Sequence, residues 1–352
     1  MRYFLWLSFS ISLHFHSFLI SEESMSLDQQ PRTHLAFLPT PIQELSKLRT
    51  ALKRPRILIK RDDQTGLALG GNKTRKLEYL FGDALQYDID TILTAGAAQS
   101  NHCRQTAAAA ARMGLRCELL LNGNTPHLFE GNVLLDKLLG AHLHWKDEEG
   151  TAASLDELAE RARAAWRKPY VIPYGGSNVF GAMGYVNAMI ELAEQQKLLT
   201  QPITHIVFAS CSGATHVGMV VGAALTHFSG TILGISVDYD ASQQANFEQG
   251  LVDLANATAL KIGIAKRFIA EEFTVSYEYA KGYGVLGELE HDAVHRLAAQ
   301  EGILLDPVYS GRAFGALLDM IAKGYFSEDD TVLFWHTGGT PALFSYAEKL
   351  AE

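Results

Sequence analysis

Residues 91–113, TILTAGAAQSNHCRQTAAAAARM, carry the reading from which the fold follows. Thr91-Ile92-Leu93-Thr94-Ala95 is a short apolar, β-branched run of the kind that forms a buried strand. Small and polar residues follow from Gly96 to His102, and residues 101–113 then read as an alanine-rich helix. The same strand–turn–helix order recurs on both sides. Residues 57–59, 118–121, 142–145, 170–173, 206–209, 231–237 and 332–335 read as strands. Residues 76–86, 215–227, 288–300 and 312–323 read as helices. Alternation at this spacing predicts an α/β fold, with mostly parallel sheets covered by helices on both faces. No internal repeat or low-complexity segment interrupts it.

A chain of 352 residues suits two domains, or one large α/β domain with an excursion. The expected division is an N-terminal extension over 1–34, a large domain from 35–75 plus 171–352, and a small inserted α/β domain over 76–170. Hydrophobic residues make up 47% and charged residues 20%, enough for a full core. A net charge of −9 argues against a nucleic-acid partner, because backbone phosphates demand basic patches. Cys103, Cys117 and Cys211 are far apart and lack ligand spacing, so neither a disulfide framework nor a metal site is expected. Residues 3–20, YFLWLSFSISLHFHSFLI, form an apolar stretch behind Arg2. A signal peptide, a membrane anchor and an untranslated upstream piece are all open readings. Its serines and histidines, and the lack of a clear small-residue cleavage site, favour a cytoplasmic protein with no membrane partner, with export left open.

Five turns carry chemistry. In Gly70-Gly71-Asn72-Lys73-Thr74-Arg75-Lys76-Leu77-Glu78 a lysine follows a glycine turn at the head of a helix. Such an amine can form a Schiff base with an aldehyde, and Arg75 and Lys76 are close enough to lower its pKa by like-charge repulsion. A basic helix start on a solvated face is the plain alternative. Gln99-Ser100-Asn101-His102 opens the next helix, where unpaired N–H groups suit a carboxylate and Ser100 suits an N-cap. Ser210-Cys211-Ser212-Gly213-Ala214-Thr215-His216 offers backbone amides to a phosphate but lacks the spacing and lysine of a nucleotide triphosphate site. Asp306-Pro307-Val308-Tyr309-Ser310-Gly311-Arg312 presents a tyrosine able to stack on a flat ring or move a proton. In His336-Thr337-Gly338-Gly339 the glycines admit a bulky neighbour, and His336 reads as a hydrogen-bonded structural residue. Together these turns supply an imine lysine, a phosphate cradle, an anion pocket and an aromatic wall, the set that pyridoxal 5′-phosphate requires.

With these residues in hand, the chain resembles the 1-aminocyclopropane-1-carboxylate deaminase/D-cysteine desulfhydrase family. These are pyridoxal-phosphate enzymes of the tryptophan synthase β fold (fold type II). The similarity runs from about residue 35 to 343. Its markers are Leu38-Pro39-Thr40-Pro41, Lys60-Arg61-Asp62-Asp63, the lysine run, Gln99-Ser100-Asn101-His102, Asp306-Pro307-Val308-Tyr309 and His336-Thr337-Gly338-Gly339. The resemblance implies two three-layer αβα domains, a small amino-acid substrate and a homodimer. It implies that Lys73 bears the cofactor, with Asn101 near the ring hydroxyl and Ser100 handling a proton or the substrate carboxylate. Gln99 and His102 fall in the same substrate-binding block. Ser212, Gly213, Ala214 and Thr215 match the phosphate turn, with Lys76 nearby, and Tyr283 and Tyr309 match two active-site tyrosines.

Two positions divide the family. The deaminases carry a glutamate after the tyrosine and a leucine before the two glycines, whereas the desulfhydrases carry small hydroxyl residues. Ser310 and Thr337 stand here. A carboxylate at the pyridine nitrogen would keep it protonated, and a neutral hydroxyl would make a milder electron sink. The expectation is therefore β-elimination, and the resemblance implies D-cysteine as the substrate. Elimination of sulfite from L-cysteate (with Arg104 or His102 as an added cation), cyclopropane ring opening, and a cofactor-binding protein without turnover are the alternatives.

Overall fold

The computed structural model describes residues 25–52 and 55–351. The apolar stretch 3–20 and its three readings lie outside the described residues. None of the described helices is long and apolar enough to cross a membrane.

The strands are β1 Ile42–Glu44, β2 Arg56–Arg61, β3 Thr91–Gly96, β4 Arg116–Leu121, β5 His142–Trp145, β6 Pro169–Val171, β7 His205–Ser210, β8 Thr231–Ser236, β9 Thr274–Ser276 and β10 Thr331–His336. The helices are α1 Ser46–Leu52, α2 Asn72–Ala84, α3 Asn101–Arg112, α4 Gly131–Leu138, α5 Leu155–Ala164, α6 Val179–Gln196, α7 Ala214–Thr226, α8 Gln244–Lys261, α9 Glu288–Glu301, α10 Ser310–Ala322 and α11 Ala347–Leu350.

Two sheets result. The larger runs in the order β1-β2-β10-β7-β8-β9, parallel throughout except for β1 on β2. The smaller runs β5-β4-β3-β6 and is wholly parallel. Parallel strands need crossovers, and the crossover helices cover both faces. β10 is accordingly buried along its whole length, with no alternation between wet and dry positions. Side chains of α6, α7 and α8 form one core with Phe208, Leu333 and Trp335, while those of α1, α9 and α10 form another with Ile57, Ile59 and Phe334. In the smaller sheet, α2, α3 and α4 pack on Ile92, Leu119 and Leu121, and α5 packs on Leu93 and Leu120. Both sheets are thus the middle layer of three.

The edge strands β1 and β9, and the helices α1, α4, α5, α6, α8 and α11, lie where the sequence pattern names no element. The two strands are three residues long, too short to show a period. α6 carries Gly181 and Gly184, which weaken a helix taken alone. Tertiary packing reverses that penalty. A Cβ on Gly184 would come within 2.4 Å of the Arg75 carbonyl oxygen, and one on Gly218 of α7 within 2.3 Å of the Ala182 carbonyl oxygen. α2, α6 and α7 approach closely because these residues have no side chain. α2 also begins at Asn72, four residues earlier than the pattern suggests, which places Lys73 in its first turn.

A buried polar network seats α2 on the larger sheet. Asp62, fully enclosed, accepts hydrogen bonds from Arg75 Nε and Nη2 at 2.8 Å each, Thr40 Oγ1 at 2.8 Å, Tyr185 OH at 2.7 Å and Trp335 Nε1 at 2.8 Å. Glu191 on α6 takes the other side of Arg75 at 2.9 Å and pairs with Lys60. Burial raises the Asp62 carboxyl, but the Arg75 guanidinium, backed by Lys60 and Tyr185, outweighs it and holds the group at about 2. Arg75 therefore points away from Lys73 with its charge matched, so it is not the neighbour that lowers the lysine's pKa.

Candidate active site

The loops at the carboxyl ends of β3, β7 and β10 meet in a pocket, as expected for open α/β sheets. It gathers Lys73, Lys76, Ser100, Asn101, His102, Ser212, Gly213, Thr215, Tyr309 and Thr337 from five separate turns.

Lys73 Nζ donates to the Gly175 carbonyl at 3.1 Å, and Lys76 Nζ reaches the same oxygen at 3.3 Å. Burial lowers the Lys73 pKa, and burial followed by the charge of Lys73 lowers Lys76 well below its ordinary value. Desolvation, not repulsion by Arg75, is what favours the neutral nucleophilic amine.

The α7 N-terminus faces the lysines. Gly213 caps it, and Ser177 Oγ holds the loop by donating to the Ser212 carbonyl and accepting from Ala214 N at 3.1 Å. Ala214 is therefore a structural part of the turn, its amide already engaged, while Ser212, Gly213 and Thr215 line the pocket. Asn72 Nδ2 donates to Thr215 Oγ1 at 3.1 Å, which ties the lysine turn to this cradle. Gly175, at φ +65°, completes it: an added Cβ would lie 2.5 Å from Ser212 Oγ and 3.4 Å from Lys73 Nζ. Open space of that kind beside two lysines and a helix N-terminus fits the phosphate and aldehyde ends of pyridoxal phosphate. Lys73 would carry the aldehyde carbon. Lys76 and the α7 turn would hold the phosphate.

At the α3 N-terminus, Ser100 Oγ accepts from Cys103 N at 3.1 Å, so the cap and the pocket wall are one residue. Thr94 Oγ1 donates to the Ile172 carbonyl at 2.8 Å and so accepts from His102 Nε2–H, also at 2.8 Å. This makes His102 the Nε2–H tautomer, with Nδ1 a buried acceptor that has no partner among the described residues. Burial, then the two lysines, push its pKa well down, so the ring is neutral. Arg104 is enclosed and bonded to the Gly70 carbonyl, Asn101 and Asn132. Neither residue offers the pocket the cation that a sulfonate would need.

Tyr309 OH donates to Tyr283 OH at 3.0 Å, with the rings edge to face and their centroids 5.8 Å apart. Tyr309 lines the pocket and Tyr283 stands behind it. Burial pushes both phenols up, so each keeps its proton at neutral pH. Ser310 does not line the pocket. Its hydroxyl donates to Asp306 Oδ1 at 2.6 Å and accepts from Asp306 N at 2.9 Å. Of the two positions that divide the family, Thr337 is the one on the pocket wall. Gln99 also turns away, accepting from Asn132 N at 2.7 Å and donating to the Glu130 carbonyl at 3.2 Å. His336 is structural, as its sequence context indicates. Gly338 N donates to its Nδ1 at 3.2 Å, and its Nε2 meets the Leu304 carbonyl at 3.0 Å.

The turn Pro173-Tyr174-Gly175-Gly176-Ser177-Asn178 has a role in the site that sequence reasoning missed. It follows β6 and precedes α6, the same strand–turn–helix order that marks the other turns, so the signal was present. Cys211 and His216 also line the pocket. Burial raises the Cys211 thiol to about 11 and lowers His216 to about 3, so both are neutral.

Residues 34–338 match the family described as "Pyridoxal-phosphate dependent enzyme". The chain is 43% identical over 332 residues to a D-cysteine desulfhydrase of Klebsiella pneumoniae (strain 342), an alignment covering 92% of this chain and 99% of the relative. Among solved structures, an ACC deaminase homologue superposes with a TM-score of 0.83 at 37% identity, covering 92% of this chain and 97% of that one. A fungal L-serine ammonia-lyase from Rhizomucor miehei, at 16% identity, shares the fold with a TM-score of 0.62, covering 91% of this chain and 98% of its own.

Proposed function

Given that the chain belongs to the pyridoxal-phosphate-dependent enzyme family, we propose that it converts D-cysteine and water to pyruvate, hydrogen sulfide and ammonia. The observation that carries this reading is the buried Lys73 amine, its pKa lowered by desolvation, directed at Gly175 across from the α7 cradle, in a pocket whose branch-dividing wall residue is the hydroxyl Thr337. The 43% identity to a D-cysteine desulfhydrase supports the substrate assignment.

When bound, pyridoxal phosphate supplies an electron sink for negative charge developing at the substrate α carbon. The chain's residues do the rest. Lys76 and the turn Ser212-Gly213-Ala214-Thr215 at the head of α7 would hold the phosphate in place. The α3 N-terminus, with Ser100, binds and orients the substrate carboxylate, and Asn101 presents an amide donor beside it. Lys73 Nζ and Ser100 Oγ are the two candidate bases for the α-proton. The Tyr309–Tyr283 hydroxyl pair keeps a phenolic proton at the pocket wall, and Tyr309 donates toward the departing sulfur when the bond between them reverses so that Tyr283 donates to Tyr309. The enclosing walls keep water from the reacting atoms until release.

Lys73→Ala tests the reading. Visible cofactor absorbance and sulfide release should both vanish, and retention of both would overturn it. Offering D-cysteine, L-cysteine, cysteate and 1-aminocyclopropane-1-carboxylate while following pyruvate, sulfide, sulfite and 2-oxobutyrate assigns the substrate. A cytoplasmic homodimer remains part of the proposal through the family resemblance, and the mass read from sedimentation in the analytical ultracentrifuge checks the assembly.

A further inference from the structure

Arg104 on α3 is a large, fully buried side chain that does not itself line the pocket. Its Nη2 donates to the Gly70 carbonyl at 2.6 Å, and its Nη1 donates to Asn132 Oδ1 at 2.7 Å and to Asn101 Oδ1 at 3.1 Å. Asn132 Nδ2 also donates to Asn101 Oδ1, at 3.0 Å, and is itself anchored on the Gln99 carbonyl at 2.8 Å. An amide oxygen accepts through two lone pairs, and on Asn101 both are taken. Flipping this amide would press its NH₂ against two donors. Asn101 lines the pocket with its orientation decided, so Nδ2 can only donate and its partner must be an acceptor.

The third contact gives the arrangement its reach. Gly70 precedes Gly71, the cap of α2, and Lys73 lies in the first turn of that helix. One planar guanidinium therefore grips the turn that launches the lysine and the amide that faces the ligand. A lysine at 104 could not span these partners at once, since its single ammonium lacks the fork.

We propose that Arg104 is a positioning residue that sets Asn101 as a hydrogen-bond donor to an anionic oxygen of the bound ligand and holds that donor in register with Lys73. The oxygen belongs either to the cofactor ring or to the substrate carboxylate. This rests on the pyridoxal-phosphate reading above.

A double-mutant cycle tests it, with pyridoxal phosphate titrated into apoenzyme by visible absorbance and the D-cysteine KM measured on holoenzyme. Arg104→Lys in the native background should weaken one of these about tenfold, the usual scale for losing a charge-assisted bond. In the Asn101→Ala background the same change should cost less than about twofold, because its target is gone. Coupling in the cofactor dissociation constant assigns the ring oxygen, and coupling in KM assigns the carboxylate. Either result supports the proposal. Equal losses in both backgrounds, or none in either, would overturn it while leaving the enzyme assignment standing. Failure of the wild-type apoenzyme to bind pyridoxal phosphate would overturn both. Arg104→Gln is run beside it, so that the cycle closes even if the lysine variant does not fold by circular dichroism.

Discussion

Gly175 shows how much a single position decides. Its left-handed backbone lets the carbonyl accept from both lysines, and its missing side chain leaves the cradle open. Gly175→Ala would strain the backbone and drive a Cβ to 2.5 Å from Ser212 Oγ. The expected cost is about 1–3 kcal/mol in cofactor affinity with the fold retained, read by absorbance titration. The substrate-branch residues behave differently from each other. Ser310→Glu would place a second carboxylate against Asp306 in a site that is 1% exposed, so it should destabilise the protein as well as change its chemistry. Thr337→Leu is the cleaner change. It should lower kcat/KM for D-cysteine while the melting temperature moves little, and an unchanged kcat/KM would count against a role for the Thr337 hydroxyl. Lysine 73 was legible from its glycine turn. The cause of its lowered pKa was not, because Arg75 lies two residues away in sequence but points into a different part of the core.

At the scale of elements, α2 is held by the Asp62–Arg75–Glu191 network rather than by helix propensity. Asp62→Asn leaves Arg75 short of a counter-charge and should cost about 3–5 kcal/mol, measured by denaturant unfolding. The sign with pH follows from the depressed carboxyl. Its stabilising effect is fully present above the ordinary value of 3.8 and is lost as pH falls through the folded value near 2. Stability should therefore hold from neutrality to about pH 4 and fall steeply between about 4 and 2, with a smaller fall in Asp62→Asn. Helix packing makes a separate prediction. Gly218→Ala forces α7 away from Ala182 and Tyr185 of α6, and a loss of about 1–3 kcal/mol is expected without loss of the site chemistry. The strands with strong apolar runs, β2, β3, β7, β8 and β10, could be read locally because burial on both faces leaves a continuous hydrophobic signature. α6 could not, since Gly184 makes sense only against the α2 backbone and Gly181 only against the turn that precedes α6.

Across the whole molecule, the site draws Lys73 and Lys76 from α2, Ser100 and Asn101 from α3 on the smaller sheet, and the turn 212–215 at the head of α7 on the larger. A ligand held by all three should stabilise the assembly as a unit. Saturation at a hundred times its dissociation constant adds about 2.7 kcal/mol, so the melting temperature should rise by several degrees with pyridoxal phosphate. Lys73→Ala should lose most of that rise. What the sequence by itself determined was the alternation that makes parallel sheets, the turns that carry chemistry, and the lysine among them, because period and turn composition are local properties. What only the tertiary structure decided was the direction of each polar group within those turns. Asp306 claims the Ser310 hydroxyl, Asn132 claims Gln99, and Asp62 claims Arg75. Each choice is settled by a partner distant in the chain or folded back on its own turn, since a buried polar atom takes whatever partner the packed core brings within reach.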